Sequence, residues 1–517
     1  MAGLSYFPGC RDDPVGYWND QMHWDHAGAA SGGIVHEWTR EQGPGGAILL
    51  FDDRDIRAEA AGGLADLAHG LAFRSTTAIR YASVSKHFLA SLLLSGTSVQ
   101  LSDTLGQHLM LPAEAGAVTV GRALDMTGGL PDLVETLALL GIASSTGTSR
   151  HQLMDACALL DRLNFTPGHE ISYSNTGYRL VQAALMAKGT DFPALLRERL
   201  FRPLGLSIRL PEDETEPVPG LATGYVRGLR GWRAGRYGMH LSASGGLAGN
   251  AVDLASWGQA LLGDRAPVPG LLSRLTAPRL LADGQATAYG LGLARTDLEG
   301  RALFGHGGSL PGYRSHILLD PQAKAGVVVL CNREDVDAGL LALRVMGALH
   351  NVAVAPAAAS LLPEGLFVTD TGPFWLQHRA GQAIFMGAAE TLIDAGGGWA
   401  TNRSAALPMR LTAQGGDIVG EVGHVTRHFR PVPPRAAAEP GWAGRYGGYE
   451  VTVERGLACL HMPPLGQKLD LRPLDATRAV AQRQDGQQFC VSFAEGRMAL
   501  ATQRARTVTR NKEAVLF

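Results

Sequence analysis

The stretch RYASVSKHFLASLLL, residues 80–94, places Ser83 three positions before Lys86 at the start of an apolar run. On a helix this spacing puts both side chains on one face, so that the amine can reach the hydroxyl. Lysine is rare in this chain: only five of the 46 Lys and Arg residues are lysine, and the rest are arginine. A guanidinium stays protonated, whereas a buried amine can lose its proton near neutral pH. The pair therefore predicts a serine nucleophile that is activated by a lysine base.

Two further strings carry groups that such a reaction needs. FTPGHEISYSNTGYRL (165–180) places Tyr173 and Asn175 two residues apart, just before a helical pattern. LFGHGGSLPGYRSHILLD (303–320) places His306 before two glycines, in a turn between two predicted strands. We expect Tyr173 to relay a proton to the leaving group and His306 to be the electrostatic partner of that relay. Asn175 would orient the lysine and a substrate amide.

Backbone groups complete the expected machinery. The glycines after His306, including Gly308, let a strand edge come close to a substrate. The backbone N–H groups of Ser83 and Ser309 would then form an oxyanion hole. Arg314, in the same string, is a further candidate for substrate binding.

Composition limits the function classes. A chain of 517 residues is long enough for two to four domains, and its formal net charge of -2 gives no basic field for nucleic acid. The five cysteines are scattered without C-x-x-C pairs, which argues against a disulfide framework or a structural zinc site. The amino terminus lacks a signal-peptide pattern and no apolar run is long enough to span a membrane. We therefore expect a cytoplasmic protein without nucleic-acid or membrane partners.

Apolar patterns predict the elements that position the chemical groups. AILLFDD (47–53) and AGVVVLCN (325–332) predict strands, and the second reads as buried on both faces. Apolar residues recur at helical spacing in SKHFLASLLL, NTGYRLVQAALMA and AVDLASWGQALL. The expected arrangement is α/β, with a sheet assembled from both ends of the segment.

The sequence pattern changes after a Pro/Ala-rich linker at 352–365. Beyond this linker, short β-like runs alternate with glycine-containing turns. We predict a catalytic domain at 1–355, whose residues 1–38 form an irregular leader. Two antiparallel β modules would follow at 356–435 and 436–517. Their similarity to each other is too weak for a repeat.

Competing signals are weak. HWDH (23–26) with His36 has metal-ligand chemistry, yet it lacks a defined ligand frame, so we expect no metal and no cofactor. GPGG (43–46) is not followed by the GK[ST] of a phosphate loop. No G-x-S-x-G elbow of the α/β-hydrolases surrounds Ser83.

The ordered set Ser83-x-x-Lys86, Tyr173-x-Asn175 and His306-Gly-Gly resembles the penicillin-recognising serine hydrolases, which include class C β-lactamases, DD-peptidases, esterases and D-aminopeptidases. The strings GPGGAILL, ALDMTGGLPDL, LFRPLGL and SASGGLAGNAVDLASW occur in the order that this superfamily shows. The resemblance covers about residues 40–350. It implies an α/β (α+β) domain of the serine β-lactamase and penicillin-binding-protein type, which the later segments extend by two small antiparallel β-barrels.

Within this superfamily the chain is similar to bacterial D-aminopeptidases that carry two carboxyl-terminal β-barrels. YASVSKHF, GWAGRYGGYEVTV and VAQRQDGQQFCVSF carry that narrower resemblance. It implies that a loop of the last barrel reaches the active site and restricts it to free amino termini. The corresponding turn here contains Arg483 and Asp485, and Asp485 is the candidate partner of a substrate ammonium group.

The sequence thus predicts a serine aminopeptidase or amidase that acts on small peptides or amides with an amino-terminal D-residue. A homodimer is an open expectation. A carboxylesterase or a β-lactam or DD-peptide hydrolase on the same machinery stays open. A non-catalytic ligand-binding module is also open, although binding alone does not require a complete proton path.

Overall fold

The computed structural model describes residues 21–158, 160–358, 361–434, 436–463, 466–506 and 508–512. Residues 1–20, and with them Cys10, lie outside this part. The helices, in chain order, are α1 (Trp24–Arg40), α2 (Lys86–Leu94), α3 (Ala113–Ala117), α4 (Val120–Leu124), α5 (Leu133–Leu139), α6 (Arg150–Cys157), α7 (Asn175–Met186), α8 (Phe192–Leu196), α9 (Ala251–Leu262), α10 (Leu271–Thr276) and α11 (Ala338–His350). Short 3₁₀ turns lie at Ala82–Ser85, Leu105–Gln107, Arg202–Leu204 and Pro440–Trp442, and one π-helical turn at Arg197–Phe201.

The first fourteen strands belong to the segment that carries the chemical groups. They are β1 (Gly46–Asp52), β2 (Ile56–Gly62), β3 (Leu64–Asp66), β4 (Leu71–Ala72), β5 (Ile79–Arg80), β6 (Tyr225–Gly228), β7 (Gly231–Ala234), β8 (Ala248–Gly249), β9 (Arg279–Leu280), β10 (Ala286–Thr287), β11 (Ala294–Leu298), β12 (Arg301–Leu310), β13 (Tyr313–Asp320) and β14 (Ala325–Cys331). Six of them form one antiparallel sheet in the order β11-β12-β13-β14-β1-β2. Both ends of the segment therefore build the sheet, as predicted.

Helices cover both faces of this sheet. Along β1, Leu49 and Phe51 face the large core that contains α2, α7 and α9, whereas Ile48 and Leu50 face a second core formed with α1 and α11. Every residue of β14 is buried, which confirms the predicted burial on both faces. An antiparallel strand needs such a continuous apolar run when both of its faces are covered.

The remaining strands form two antiparallel sheets. The first, in the order β18-β17-β16-β15-β23-β22-β21-β20-β19, contains β15 (Gly365–Thr369), β16 (Trp375–Arg379), β17 (Gln382–Phe385), β18 (Ala388–Thr391), β19 (Ile393–Asp394), β20 (Trp399–Thr401), β21 (Met409–Gln414), β22 (Asp417–Val422) and β23 (Val425–Pro431). Its two end strands, β18 and β19, adjoin along the chain, so the sheet curls into a nearly closed barrel. We call it the first barrel.

The second sheet runs in chain order through β24 (Gly444–Tyr446), β25 (Tyr449–Glu454), β26 (Leu457–Met462), β27 (Gln467–Pro473), β28 (Arg478–Gln482), β29 (Gln488–Ala494), β30 (Arg497–Ala501) and β31 (Val508–Asn511). A bridge between Tyr446 and Lys512 joins its two ends. We call it the terminal barrel. The fold class expected from the sequence, a mixed domain followed by two antiparallel β-barrels, is confirmed.

The terminal barrel packs on the mixed domain through α5. Leu139 of α5 belongs to the apolar core of that barrel, and the Tyr449 hydroxyl donates a hydrogen bond to the Leu139 carbonyl over 2.9 Å. Leu474 and Val480 of the terminal barrel belong in turn to the core of the first barrel. These shared cores join the terminal barrel to the mixed domain and to the first barrel.

The expected irregular leader is wrong from residue 24 onward, because Trp24–Arg40 is a continuous helix. Its buried side chains include Val35 and Trp38, which pack in the core below the sheet, and its Gly28 lies close to Ala58 of β2. The glycines lower the intrinsic helix propensity, so local pattern alone suggested a loop. Packing against β2 and α11 overrides that propensity.

In the part of the chain that the structure describes, no helix is long and apolar enough to cross a membrane. The four cysteines found there, Cys157, Cys331, Cys459 and Cys490, are free thiols. Burial raises the pKa of Cys331 and Cys490 to about 12, so these thiols are inert packing groups.

Candidate active site

Lys86 opens α2 with its side chain directed inward. The residue is 0% exposed, and its Nζ lies 3.0 Å from Ser83 Oγ in the preceding 3₁₀ turn. The same Nζ lies 2.7 Å from Asn175 Oδ1 and 2.6 Å from the carbonyl oxygen of Ser244. The predicted contact between nucleophile and base is therefore present in the fold.

Burial lowers the pKa of the Lys86 amine well below its ordinary value, and the nearby Arg504 guanidinium lowers it further, while Asp132 opposes both effects. A neutral amine has two N–H bonds and one lone pair. The two carbonyl oxygens, on Asn175 and Ser244, can only accept, so they take the N–H bonds. The lone pair is left for the Ser83 hydroxyl, which is the arrangement that a general base requires.

Strand β12 holds the turn that carries Ser83. A Cβ on Gly308 would come within 2.2 Å of the Tyr81 carbonyl oxygen, so only glycine allows the strand to lie this close. The Ser315 hydroxyl donates to that same carbonyl over 2.6 Å. Ala82, immediately before the nucleophile, has a φ of 49° in the left-handed region, which stores strain at this turn.

Tyr173 contacts both members of the pair. Its hydroxyl is hydrogen-bonded to Ser83, and Lys86 Nζ lies 4.7 Å from the centre of its ring. Burial raises the pKa of Tyr173, so the side chain is a neutral phenol rather than a phenolate. When the Lys86 amine is neutral and accepts the Ser83 proton, the phenol is free to donate to Ser83 Oγ. A continuous path thus runs from Tyr173 through Ser83 to Lys86.

His306 lies beside this path, and its ring centre is 6.1 Å from that of Tyr173. Its Nδ1 is 2.6 Å from the Gly307 carbonyl oxygen, which can only accept, so the proton is assigned to Nδ1. Nε2 then accepts from the Tyr289 hydroxyl, 2.8 Å away. Burial lowers the pKa of His306 well below its ordinary value, which keeps the imidazole neutral.

Asp132, which the sequence analysis did not single out, fixes Asn175. One of its carboxylate oxygens accepts from both the backbone N and the side-chain Nδ2 of Asn175, each at 2.8 Å. These two bonds turn Asn175 Oδ1 toward Lys86. Asp132 is also the N-cap of α5 and accepts from the Glu135 backbone N. The string GGLPDL before a helical pattern is the signal that could have identified it.

The terminal barrel reaches this cluster through the turn at residues 502–506. The Arg504 guanidinium carbon lies 4.7 Å from the centre of the Tyr173 ring, and Nη1 lies 3.6 Å from Glu135. The Arg504 carbonyl accepts from the backbone N of Asp132 over 2.8 Å. The Thr502 hydroxyl bonds to Glu135 as well. By composition this turn looks like any exposed hairpin end, so sequence reasoning missed it.

Two cavities flank the contact between Ser83 and Tyr173. The first, of about 190 Å³, is lined by Ser83, Asn175 and Ser309 and by the buried Arg179. The second, of about 320 Å³, is lined by Tyr173, by residues of β11–β13 and by both barrels. A substrate whose carbonyl meets Ser83 can therefore extend in two directions.

Ser309 lines the first cavity, and Gly308 acts by admitting the strand rather than by lining either cavity. Arg314 is a correction: its Nη1 donates to the carbonyls of Leu310 and Tyr313 at the β12–β13 turn, and it lines neither cavity. That guanidinium stabilises the hairpin.

Asp485 is a second correction. Its side chain is 54% exposed and pairs with Arg483 Nη2 at 2.8 Å, and it lines neither cavity. Arg483 itself is 5% exposed and donates to the Ala138 carbonyl over 2.9 Å at the far end of α5. The turn that contains both residues anchors the barrel away from the nucleophile.

The HWDH string begins α1, with His23 as the residue before the helix. Among the described residues, no group of three or more His, Cys, Asp and Glu side chains is placed to hold a metal ion.

Comparisons with known proteins found curated relatives of this chain. Over 347 residues the chain is 27% identical to a D-aminopeptidase of Gluconobacter oxydans, a match that covers 64% of this chain and 63% of that protein. Over 389 residues it is 28% identical to a D-aminopeptidase of Brucella melitensis, with 74% and 70% covered. The chain thus matches somewhat less than two thirds of the Gluconobacter relative.

Solved structures share the fold. The octameric penicillin-binding protein homologue from Pyrococcus abyssi superposes with a TM-score of 0.56 at 17% identity, over 93% of this chain and 99% of that one. The D-amino acid amidase from Ochrobactrum anthropi gives a TM-score of 0.54 at 22% identity, over 63% and 99%.

The model of the family described as Beta-lactamase matches residues 33–349. This region includes the serine-lysine pair, the tyrosine-asparagine pair and the histidine whose contacts are described above. Because the match covers more than half of the 517 residues, the protein belongs to the beta-lactamase family.

Proposed function

We propose that the protein is a serine hydrolase that forms an acyl-enzyme on Ser83 and releases an amino-terminal D-amino acid from small peptides or amides. One observation carries the proposal: the Ser83 hydroxyl lies between the amine of a fully buried Lys86, whose pKa burial lowers, and the phenol of Tyr173. The similarity to curated D-aminopeptidases supports the choice of substrate.

In acylation, Ser83 Oγ attacks the scissile carbonyl carbon and its proton moves to Lys86 Nζ. The carbonyl oxygen becomes an oxyanion, which the backbone N–H groups of Ser83 and Ser309 would stabilise. When the C–N bond breaks, Tyr173 donates a proton to the leaving nitrogen. Lys86 keeps the serine proton and Tyr173 stays a phenolate until deacylation, because the acylated Ser83 Oγ has no proton to exchange.

In deacylation, water attacks the ester carbonyl on Ser83 and gives its proton to the Tyr173 phenolate. When the ester bond breaks, Lys86 returns its proton to Ser83 Oγ, and the free amino acid leaves. Neutral His306 holds Tyr289 next to this path and does not supply a charge. Every proton in the cycle is therefore carried by Lys86, Ser83 and Tyr173.

A substrate panel tests the proposal. D- and L-alanine p-nitroanilides, a p-nitrophenyl acyl ester and a chromogenic cephalosporin would be compared by kcat/KM, with Ser83→Ala as the blank. We expect the D-anilide to be the best amide substrate and a fluorophosphonate to label the wild type only, by intact mass. Preference for the ester or the cephalosporin would favour the carboxylesterase or β-lactamase alternative, and absence of labelling would favour a binding module.

The cytoplasmic location and the homodimer stay predictions. Light scattering after size exclusion would distinguish a dimer from a larger assembly such as that of the octameric Pyrococcus homologue.

A further inference from the structure

The second cavity is built by three units of the fold and contains more positive than negative charge. Tyr173 and His306 line it from the catalytic domain, Arg403 from the first barrel and Arg504 from the terminal barrel. Glu390 of the first barrel is the one carboxylate among the lining residues, and burial raises its pKa to about 7. Two permanent guanidinium charges therefore face at most one carboxylate.

Both guanidinium groups keep donors for a ligand. Arg504 is 37% exposed although it lies between α5 and the barrels, because it borders the cavity. Its ion pair with Glu135, at 3.6 Å, engages Nη1. Arg403 donates from Nη2 to the Ala355 carbonyl over 2.8 Å. A guanidinium has five N–H donors in a planar fork, so each can also bind a carboxylate.

The proton path decides which part of a substrate enters this cavity. Tyr173 gives its proton to the leaving nitrogen, and Tyr173 lines the second cavity but not the first. Ser83 and Asn175, which hold the acyl carbon, line the first cavity. The leaving group must therefore extend past Tyr173 toward Arg504 and Arg403.

We propose that this cavity is a leaving-group site that binds a carboxylate through Arg504 and Arg403, so that the preferred substrates are short peptides with a free carboxyl terminus rather than amino acid amides. The inference rests on the proposed function, because it assigns the two ends of a D-aminoacyl substrate. It also gives the barrels a role, since each contributes one of the two arginines.

A pair of substrates that differ only in the terminal charge tests this assignment. The kcat/KM of D-alanyl-L-alanine would be divided by that of D-alanyl-L-alanine amide, with D-alanine p-nitroanilide measured in parallel. For the wild type we expect a ratio of about ten or more, as is common for a charge that loses a buried partner. A ratio near one, with normal hydrolysis of the anilide, overturns the leaving-group site and leaves the proposed function intact. No hydrolysis of any D-substrate overturns the proposed function itself.

Substitutions of the two arginines test whether they bind the substrate carboxylate. Arg504→Gln and Arg403→Gln should each lower the ratio about fivefold or more, mainly through KM for the free dipeptide, and Arg504→Lys should restore part of it. The ratio is taken within each variant because Arg504 also contacts Tyr173. The matched control is Arg410→Gln in the first barrel, whose guanidinium lies outside on the Trp399 ring at 3.9 Å. An equal fall of the ratio in Arg410→Gln would overturn the assignment.

Discussion

Two turns of the terminal barrel meet the same helix with opposite consequences. The turn at 483–487 contacts the carboxyl end of α5, where Arg483 donates to the Ala138 carbonyl. The turn at 502–506 contacts the amino end. There the Arg504 backbone carbonyl accepts from the Asp132 backbone N–H, and the Arg504 guanidinium pairs with Glu135. A seven-residue helix is about 10 Å long. The position along α5 therefore decides which turn belongs to the active site, although both turns contain arginine and other polar residues.

The amino end of α5 matters because Asp132 caps it and also holds Asn175. The turn at 502–506 thus contacts the catalytic cluster through Asp132, which in turn positions Asn175. The cluster supplies the nucleophile and the proton path, whereas the turn supplies alignment and charge. The loss of activity on substitution should therefore be largest at the reacting atoms and become smaller with distance from them.

The largest loss is expected at the pair that does the chemistry. Ser83→Ala should abolish turnover, and Lys86→Arg should lower kcat/KM by on the order of 10³ or more, because a permanent cation cannot accept the serine proton. In the wild type the acid limb of kcat/KM should have its midpoint well below the ordinary lysine pKa, since activity appears as Lys86 deprotonates. Near-normal rates in Lys86→Arg would contradict the assignment of the base.

Tyr173→Phe should come next, with a loss of about 10²–10³ in kcat, because the leaving nitrogen loses its proton donor while folding is kept. His306→Ala should cost less, since the imidazole reaches the path only through packing and Tyr289. The double variant should be little worse than Tyr173→Phe alone, and circular dichroism would verify the fold of each. Fully additive losses would show that the two residues do not serve one path.

Asp132→Asn should lower kcat about tenfold to a hundredfold, because Asn175 loses the carboxylate that turns its oxygen toward Lys86. The carboxylate also stabilises the protonated amine, so its removal lowers the Lys86 pKa further. The acid limb of kcat/KM should therefore move to lower pH. A fall in kcat with an unchanged pH profile would mean that Asp132 acts through packing alone.

The sequence was sufficient where function depends on short spacing. Ser83 and Lys86 lie one turn apart, and the strands at both ends of the segment are continuous apolar runs, so the pair and the sheet could be predicted. The helix α1 could not, because packing on β2 outweighs its glycines. The contact of Arg504 with Tyr173 joins residues 331 positions apart, and nothing in the composition of a turn encodes such a contact.

The smallest effect is expected at Asp485. The sequence placed this carboxylate at the substrate amine, whereas in the fold it is half exposed and pairs with Arg483. The Asp485 carboxylate faces solvent and Arg483 keeps its hydrogen bond to the Ala138 carbonyl, so Asp485→Asn should leave the fold intact. The kcat/KM for D-alanine p-nitroanilide should stay within about twofold, and the ratio between free-amine and N-acetylated substrates should not change. A selective loss on free-amine substrates would place the 483–487 turn at the active site after all, and would remove the distinction between the two ends of α5.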